Sequence, residues 1–315
     1  MRLLILLALA FPCWAQDYPS KPIRLVVPFA PGGSSTLVAR VVSEEMSKGL
    51  GQSFVIENKG GGGGNPAMLD VARADPDGYT LLVTHIGSLA LNPFLYSSLP
   101  FDVNRDFVHV TLLAKVPNIF VVHESVAAKD LREFVALARR EPGKLYYGSA
   151  GNGSAGHLAM EYLKLAAGIQ IQHVPYKGTG PNLVDLIAGR TQATSAGTPP
   201  LMPHVKSGKL RVIAVGSPTR LHSLAEVPTV AEQGYPGFET SQWYGISAPA
   251  KTPPEIVKRL ADEAAKAVKA AAVIDRFRND DAEAIGSTPQ EYAAFVAKEQ
   301  ARWKDVIQRA RIKID

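Results

Sequence analysis

Cysteine is almost absent from this 315-residue chain: it has one, Cys13. A disulfide framework, a cysteine-zinc site and a cysteine nucleophile in the body of the chain are thereby excluded. Charge of one sign is scarce too. The 34 basic and 29 acidic residues leave a formal charge of +5, spread along the chain, and this lacks the clustered footprint of a nucleic-acid binder. Beyond the first few residues no segment is apolar for 18 positions, so no later stretch reads as a membrane span. Glycine (27) and proline (23) are plentiful but show no G-X-Y period, which rules out a collagen-like chain. At 46% hydrophobic and 20% charged, the composition is that of a globular protein with a sizeable core. The length suits one large α/β domain or two of about 150 residues.

Met1-Arg2 gives a short positive start, Leu3 to Phe11 is unbroken apolar, and Pro12-Cys13-Trp14-Ala15 ends in small residues. This three-part pattern predicts a secretory signal peptide over residues 1–15, cut after Ala15, and hence a periplasmic protein. The run is too short for a membrane anchor. Lipidation at Cys13 is the lesser alternative, because Pro12 is a poor residue before a lipidated cysteine.

Ile23–Phe29 is a β-rich apolar run that ends in Ala30-Pro31-Gly32-Gly33-Ser34. Leu37, Val38, Val41, Val42 and Met46 then recur at helical spacing, with Ser34 or Ser35 as the expected N-cap. The same strand, turn, helix grammar recurs at Phe54–Ile56, Thr80–Thr84, Ile119–Val122, Leu145–Tyr147, Ile171–Val174, Gln192–Thr194 and Arg211–Val215. Alternating strands and helices predict mostly parallel sheets covered on both faces, and the number of strands predicts two α/β lobes. Pro254–Ala272 and Pro289–Arg309 read as two long amphipathic helices packed on the first lobe. Gly60–Gly64 reads as a flexible connection, with the lining of a ligand cleft as the lesser alternative.

Three strand-to-helix loops are rich in Gly, Ser and Asn: Ala30–Ser35, Thr84–Ser88 and Ser149–Ser154. Such loops sit at the carboxyl edge of an open sheet, where ligands bind. Glycine allows close backbone approach, and the helix that follows offers free N–H groups at its positive end, a site for a small anion. One such loop is an ordinary tight turn; three in series point to a ligand site. His85 and His157 lie in or just after these loops, where each is either a donor to a carboxylate or a helix-start or surface histidine.

Gly151-Asn152-Gly153-Ser154-Ala155-Gly156 matches G-x-G-x-x-G, but Ile169–Tyr176 carries no acid to hold a ribose, and the first acid afterwards is Asp185. A dinucleotide cofactor is therefore rejected, and no cofactor is expected. No G-x-S-x-G, no H-E-x-x-H and no metal-ligand spacing of histidines occurs, so neither a catalytic nor a metal site is expected. An exported hydrolase or cofactor-dependent enzyme is the alternative reading, and an adhesive protein is disfavoured by the three loops.

Tyr18–Arg24 with Val27–Ser34, Asp75–Leu82, Gly148–Ser154, His173–Gly178, Gly208–Arg211 and Val227–Glu232 together resemble the Bug/TctC solute-binding proteins, the extracytoplasmic receptors of tripartite tricarboxylate transporters. The resemblance runs from about Asp17 to the end. It implies a type II-like periplasmic-binding-protein fold of two lobes: residues 16–118 plus 244–315, and residues 119–243, with crossings near Val116–Phe120 and Gln242–Ile246. It implies a monomer that closes on a small organic carboxylate and delivers it to permease subunits or a sensor kinase. The candidate ligand-binding residues are Phe29, Ala30, Pro31, Gly32, Gly33 and Ser34, then Ser149, Ala150, Gly151, Asn152, Gly153 and Ser154, with Thr84, His85, Ser88, His157, Tyr176 and Ala196.

Three positions depart from the family's usual pattern. Thr36 stands where an Asp is common, His85 where a small polar residue is common, and Ala196, within Ser195-Ala196-Gly197, where an acid often faces the cleft. A cleft without that acid disfavours a ligand amine, and the small residues leave room for an aromatic acid.

Overall fold

A computed structural model describes residues 18–310 and residue 314. The expected signal peptide and Cys13 lie outside the described residues. The first sheet is built around β1 (Ile23–Val27), flanked in parallel by β2 (Phe54–Asn58) and β3 (Thr80–His85). β1 is apolar nearly throughout because both of its faces are covered. Ile23, Leu25 and Val27 point into one core and Val26 into the other, as strand alternation requires. The first core is closed by α1 (Ser34–Leu50), α8 (Pro254–Ala267) and α9 (Ala271–Asn279). The second is closed by α2 (Asn65–Ala72), a π-helical turn over Gly87–Leu91 running into α3 (Asn92–Leu95), and α10 (Pro289–Ala310).

The 17-residue β4 (Phe107–His123) joins two sheets. As far as Pro117 it pairs antiparallel with β9 (Ser241–Pro249), which in turn pairs with β3. From Asn118 onward it pairs with β7 (Ala193–Gly197) and β8 (Leu210–Val215). β7, β5 (Tyr146–Ser149) and β6 (Gln172–Pro175) continue the second sheet in parallel. Its two faces are covered by α4 (Leu131–Arg140) with α5 (Ala155–Ala167), and by α6 (Thr179–Ile187) with α7 (Thr198–Lys206). The result is a two-lobed α/β protein in which each lobe holds three parallel strands and shares the antiparallel pair β4 and β9 or β4 and β8.

The chain returns between the lobes at Gly216 and Thr240: the Gly216 N–H donates to the Asn118 carbonyl at 2.8 Å, and the Thr240 N–H to the Gly216 carbonyl at 2.8 Å. Residues 241–243, assigned from sequence to the middle lobe, pair in β9 on the first sheet.

Several local readings differ from the structure. β4 begins 12 residues before the expected Ile119, because two register shifts and Pro117 break its alternation. The helix expected over Pro254–Ala272 stops at Ala267, turns, and resumes as α9, with no glycine or proline to mark the break. The N-cap of α1 is Gly33, with no side-chain cap, rather than Ser34 or Ser35. Gly60–Gly64 is packed, not a loose tether: a Cβ on Gly63 would run into the Tyr96 hydroxyl and come 2.9 Å from the Asn152 carbonyl oxygen.

Candidate functional site

A narrow cleft with a cavity volume of about 20 Å³ lies between the lobes at the carboxyl ends of the parallel strands. Lobe one supplies Phe29, Ser34, Ser35, His85, Gln242 and Tyr244. Lobe two supplies Ala150, Ser154, Ala155, Gly156, Thr179, Ser195 and Ala196. None of these is an Asp, Glu, Lys or Arg.

Three helices begin at this cleft, and a fourth starts just beyond its wall. Ser34 and Ser35 open the 17-residue α1; because Gly33 is the cap, their hydroxyls are not consumed in capping. Ser154 caps the 13-residue α5 by accepting the His157 N–H at 3.3 Å, which leaves the first-turn N–H groups of Ala155 and Gly156 without helical acceptors. Thr179 is the first residue of α6, and Ala196 precedes α7 by two positions. Their aligned dipoles make the cleft electropositive without a cationic side chain. Gly156 has no room for a Cβ against the Ser195 carbonyl, so a glycine is needed to seat α5 on β7. The Ser195 hydroxyl is buried and has no hydrogen-bond partner among the described residues.

His85 is held in one orientation. Its Nδ1 accepts the Gly87 N–H at 2.9 Å, and its ring meets Phe29 edge-on at 4.8 Å and stacks near Tyr244 at 5.8 Å. Burial pushes its pKa down to about 3, so the imidazole is neutral. Tyr244 donates to Gln242 Oε1, and Gln242 Nε2 donates to Asn118 Oδ1 at 2.6 Å, which links the cleft wall to the point where β4 crosses between lobes.

Of the residues proposed from sequence, Phe29, Ser34, His85, Ala150, Ser154 and Ala196 line the cleft. Ala30, Pro31, Gly32 and Gly33 stand instead at the contact between lobes. The Ala30 N–H donates to the Lys177 carbonyl at 2.8 Å, a Cβ on Gly32 would sit 3.1 Å from Gly180 Cα, and one on Gly33 would lie 3.2 Å from the Thr179 hydroxyl oxygen. Asn152 and Gly153 face Gly63 and Asn92 across the same junction, and Gly151 packs under the Tyr176 carbonyl.

The others support the loops from behind. Ser88 Oγ accepts the His85 N–H at 3.1 Å and donates to the His85 carbonyl at 2.9 Å. Thr84 bonds Tyr292 at 2.6 Å inside lobe one. Ser149 Oγ lies 2.7 Å from His173 Nε2, and His157 stacks on His173 at 4.3 Å; burial lowers both histidines, to about 3 for His173 and about 4 for His157. Ser149 is fully buried and outside the cleft wall, so this serine–histidine contact holds the loop. The Tyr176 hydroxyl turns away to Asp185 at 2.7 Å. Ala155, Gly156, Thr179, Ser195, Gln242 and Tyr244 line the cleft without having been singled out as ligand contacts, and Ser35, the end of the first Gly-rich loop, lines it as well. Gln242 and Tyr244, two apart on a strand, carried a signal only once β9 was known to border the cleft.

Comparison with known proteins places this geometry. A family model described as "Tripartite tricarboxylate transporter family receptor" matches residues 38–312. Protein BugT of Bordetella pertussis is 35% identical over 307 residues, covering 97% of this chain and 94% of BugT. An R. palustris protein solved with adipate superposes with a TM-score of 0.91 at 37% identity, over 94% of this chain and 99% of that one. MatC from Rhodopseudomonas palustris, solved with bound malate, gives 0.89 at 33% identity, over 92% and 100%. Among the described residues no helix is long and apolar enough to cross a membrane. With the family model spanning most of its length, this chain belongs to the TctC family of tripartite tricarboxylate transporter receptors.

Proposed function

We propose that the protein is a periplasmic receptor that binds a small organic carboxylate between its lobes, leaves it chemically unchanged, and presents it to membrane permease subunits or to a sensor kinase. One observation carries this reading: the N-termini of three helices, α1, α5 and α6, meet in a cleft with no charged side chain. Such a site neutralises one carboxylate through partial charges and hydrogen bonds. The adipate and malate held by two structural relatives support the same ligand class. The cleft wall has no nucleophile paired with a base and no acid–base couple, which favours binding over catalysis.

The absence of an acid in the wall disfavours amino acids, since a buried ammonium would lack a partner. The lobes open about the Pro117–Asn118 crossing and the Gly216–Thr240 return. The test is a thermal-shift screen against dicarboxylates, tricarboxylates, aromatic acids, amino acids and nicotinamide cofactors, with mass spectrometry of the recovered ligand. Stabilisation by one class of acid, recovered intact, is expected. Stabilisation by a cofactor alone, or recovery of a converted product, would overturn the reading.

A further inference from the structure

The proposed carboxylate accounts for the helix ends at the cleft. It leaves a donor in lobe one unused. Because Gly87 gives its N–H to Nδ1 of His85, the imidazole proton resides on Nε2. Among the described residues no group accepts from Nε2, although the ring is 2% exposed and lines the cleft.

The ring cannot turn to relieve this. Gly87 lacks the Cβ that would come 2.6 Å from His85 Cε1, so its N–H reaches Nδ1 directly. Ser88 pins the His85 backbone from both sides, and Phe29 and Tyr244 hold the ring faces. A buried donor in a fixed direction penalises any ligand that leaves it unpaired.

We propose that His85 is the specificity-determining donor of the cleft, and that the ligand carries a second acceptor oxygen beyond its carboxylate, as a dicarboxylate or an oxo-acid does. This rests on the carboxylate reading above. A plain fatty acid of the same length would place methylenes against Nε2–H and lose the bond. The donor is neutral and no cation lies in the wall, so the second group is recognised as a hydrogen-bond acceptor and not through an ion pair.

The experiment is calorimetric titration of the protein with adipate, 5-oxohexanoate and hexanoate, and with succinate and butyrate. The better oxygen-bearing acid is expected to bind at least about tenfold tighter than its plain counterpart. His85→Asn keeps an acceptor for the Gly87 N–H but removes the Nε2 donor, and should cut that ratio below about threefold. His85→Gln restores a donor near Nε2 and should recover most of the ratio. A reading that depends on no variant is the imidazole ¹⁵N spectrum of the unaltered protein, which should show the Nε2–H tautomer of His85 and a downfield proton shift on adding adipate. A ratio below threefold in the unaltered protein, a ratio that survives His85→Asn, or an Nδ1–H tautomer would overturn the proposal while any binding of acids left the carboxylate reading standing. If no acid binds at all, both readings fall.

Discussion

The backbone N–H of Ala30 donates to the carbonyl of Lys177 at 2.8 Å, joining the first Gly-rich loop of lobe one to the start of α6 in lobe two. Around this bond Gly32 and Gly180 lie against one another, and a Cβ on Gly180 would run into the Pro31 carbonyl. At this point the lobes meet through backbone. Gly180→Val should therefore obstruct closure while sparing each lobe. Apparent ligand affinity should fall about tenfold or more, because the binding-competent population shrinks. The melting temperature without ligand should move no more than about 2 °C, as for a surface substitution. Calorimetry and small-angle scattering check both halves; an unchanged affinity would show that closure does not need this contact.

Ser195 offers a second test. Its buried hydroxyl has no partner among the described residues, so the ligand-free protein gains nothing from it. Ser195→Ala should leave the free protein as stable or slightly more so. If the hydroxyl donates to the bound carboxylate, the same change should weaken binding by about 1.5–3 kcal/mol, the worth of a hydrogen bond to a charged group. Equal affinity for both proteins would remove Ser195 from the site.

These two positions show what could be read from the sequence. The Gly-rich loops announced themselves through composition, and Phe29, Ser34, His85, Ala150 and Ser154 do reach the cleft. What the composition could not separate was lining from lobe contact. Ala30 and Ser34 sit four residues apart in the same motif, yet one bonds the other lobe and the other faces the cavity. That distinction depends on how two lobes meet, which local pattern does not encode. Ser195 and Tyr244 were missed for a related reason. They lie on strands, where a polar residue reads as a solvated face until the neighbouring strand and the cleft are known. In the fold, the short β1, β3 and β8 were legible from apolar runs, whereas β4 was seen only in its last third because bulges shifted its phase.

Acidification should destabilise the protein before carboxylates titrate. Burial holds His85 and His173 at about 3 and His109 and His157 at about 4, against an ordinary value of 6.5. Below pH 6.5 the unfolded chain takes up these protons and the folded one does not, so stability is full above that pH and declines as pH falls toward 4. The melting temperature measured from pH 7.5 to pH 4 should drop steadily through this window. A flat profile would mean that the four rings gain protons without unfolding.

The glycine run supplies the last prediction, because a tether and a packed junction respond oppositely to a methyl group. Gly63 and Gly208 share a left-handed backbone, with φ of 64° and 78°. An alanine in that conformation costs about 1 kcal/mol wherever it stands. Around Gly208 nothing lies within 4 Å, so Gly208→Ala should cost only that. At Gly63 the same methyl meets the Tyr96 hydroxyl and stands 2.9 Å from the Asn152 carbonyl, and Asn152 belongs to the other lobe. Gly63→Ala should therefore carry a further penalty, and that penalty should grow when the lobes close. The expected result is a larger loss of melting temperature for Gly63→Ala than for Gly208→Ala, with the difference widening once ligand is added. If Gly60–Gly64 were a tether, the two substitutions would cost the same with and without ligand.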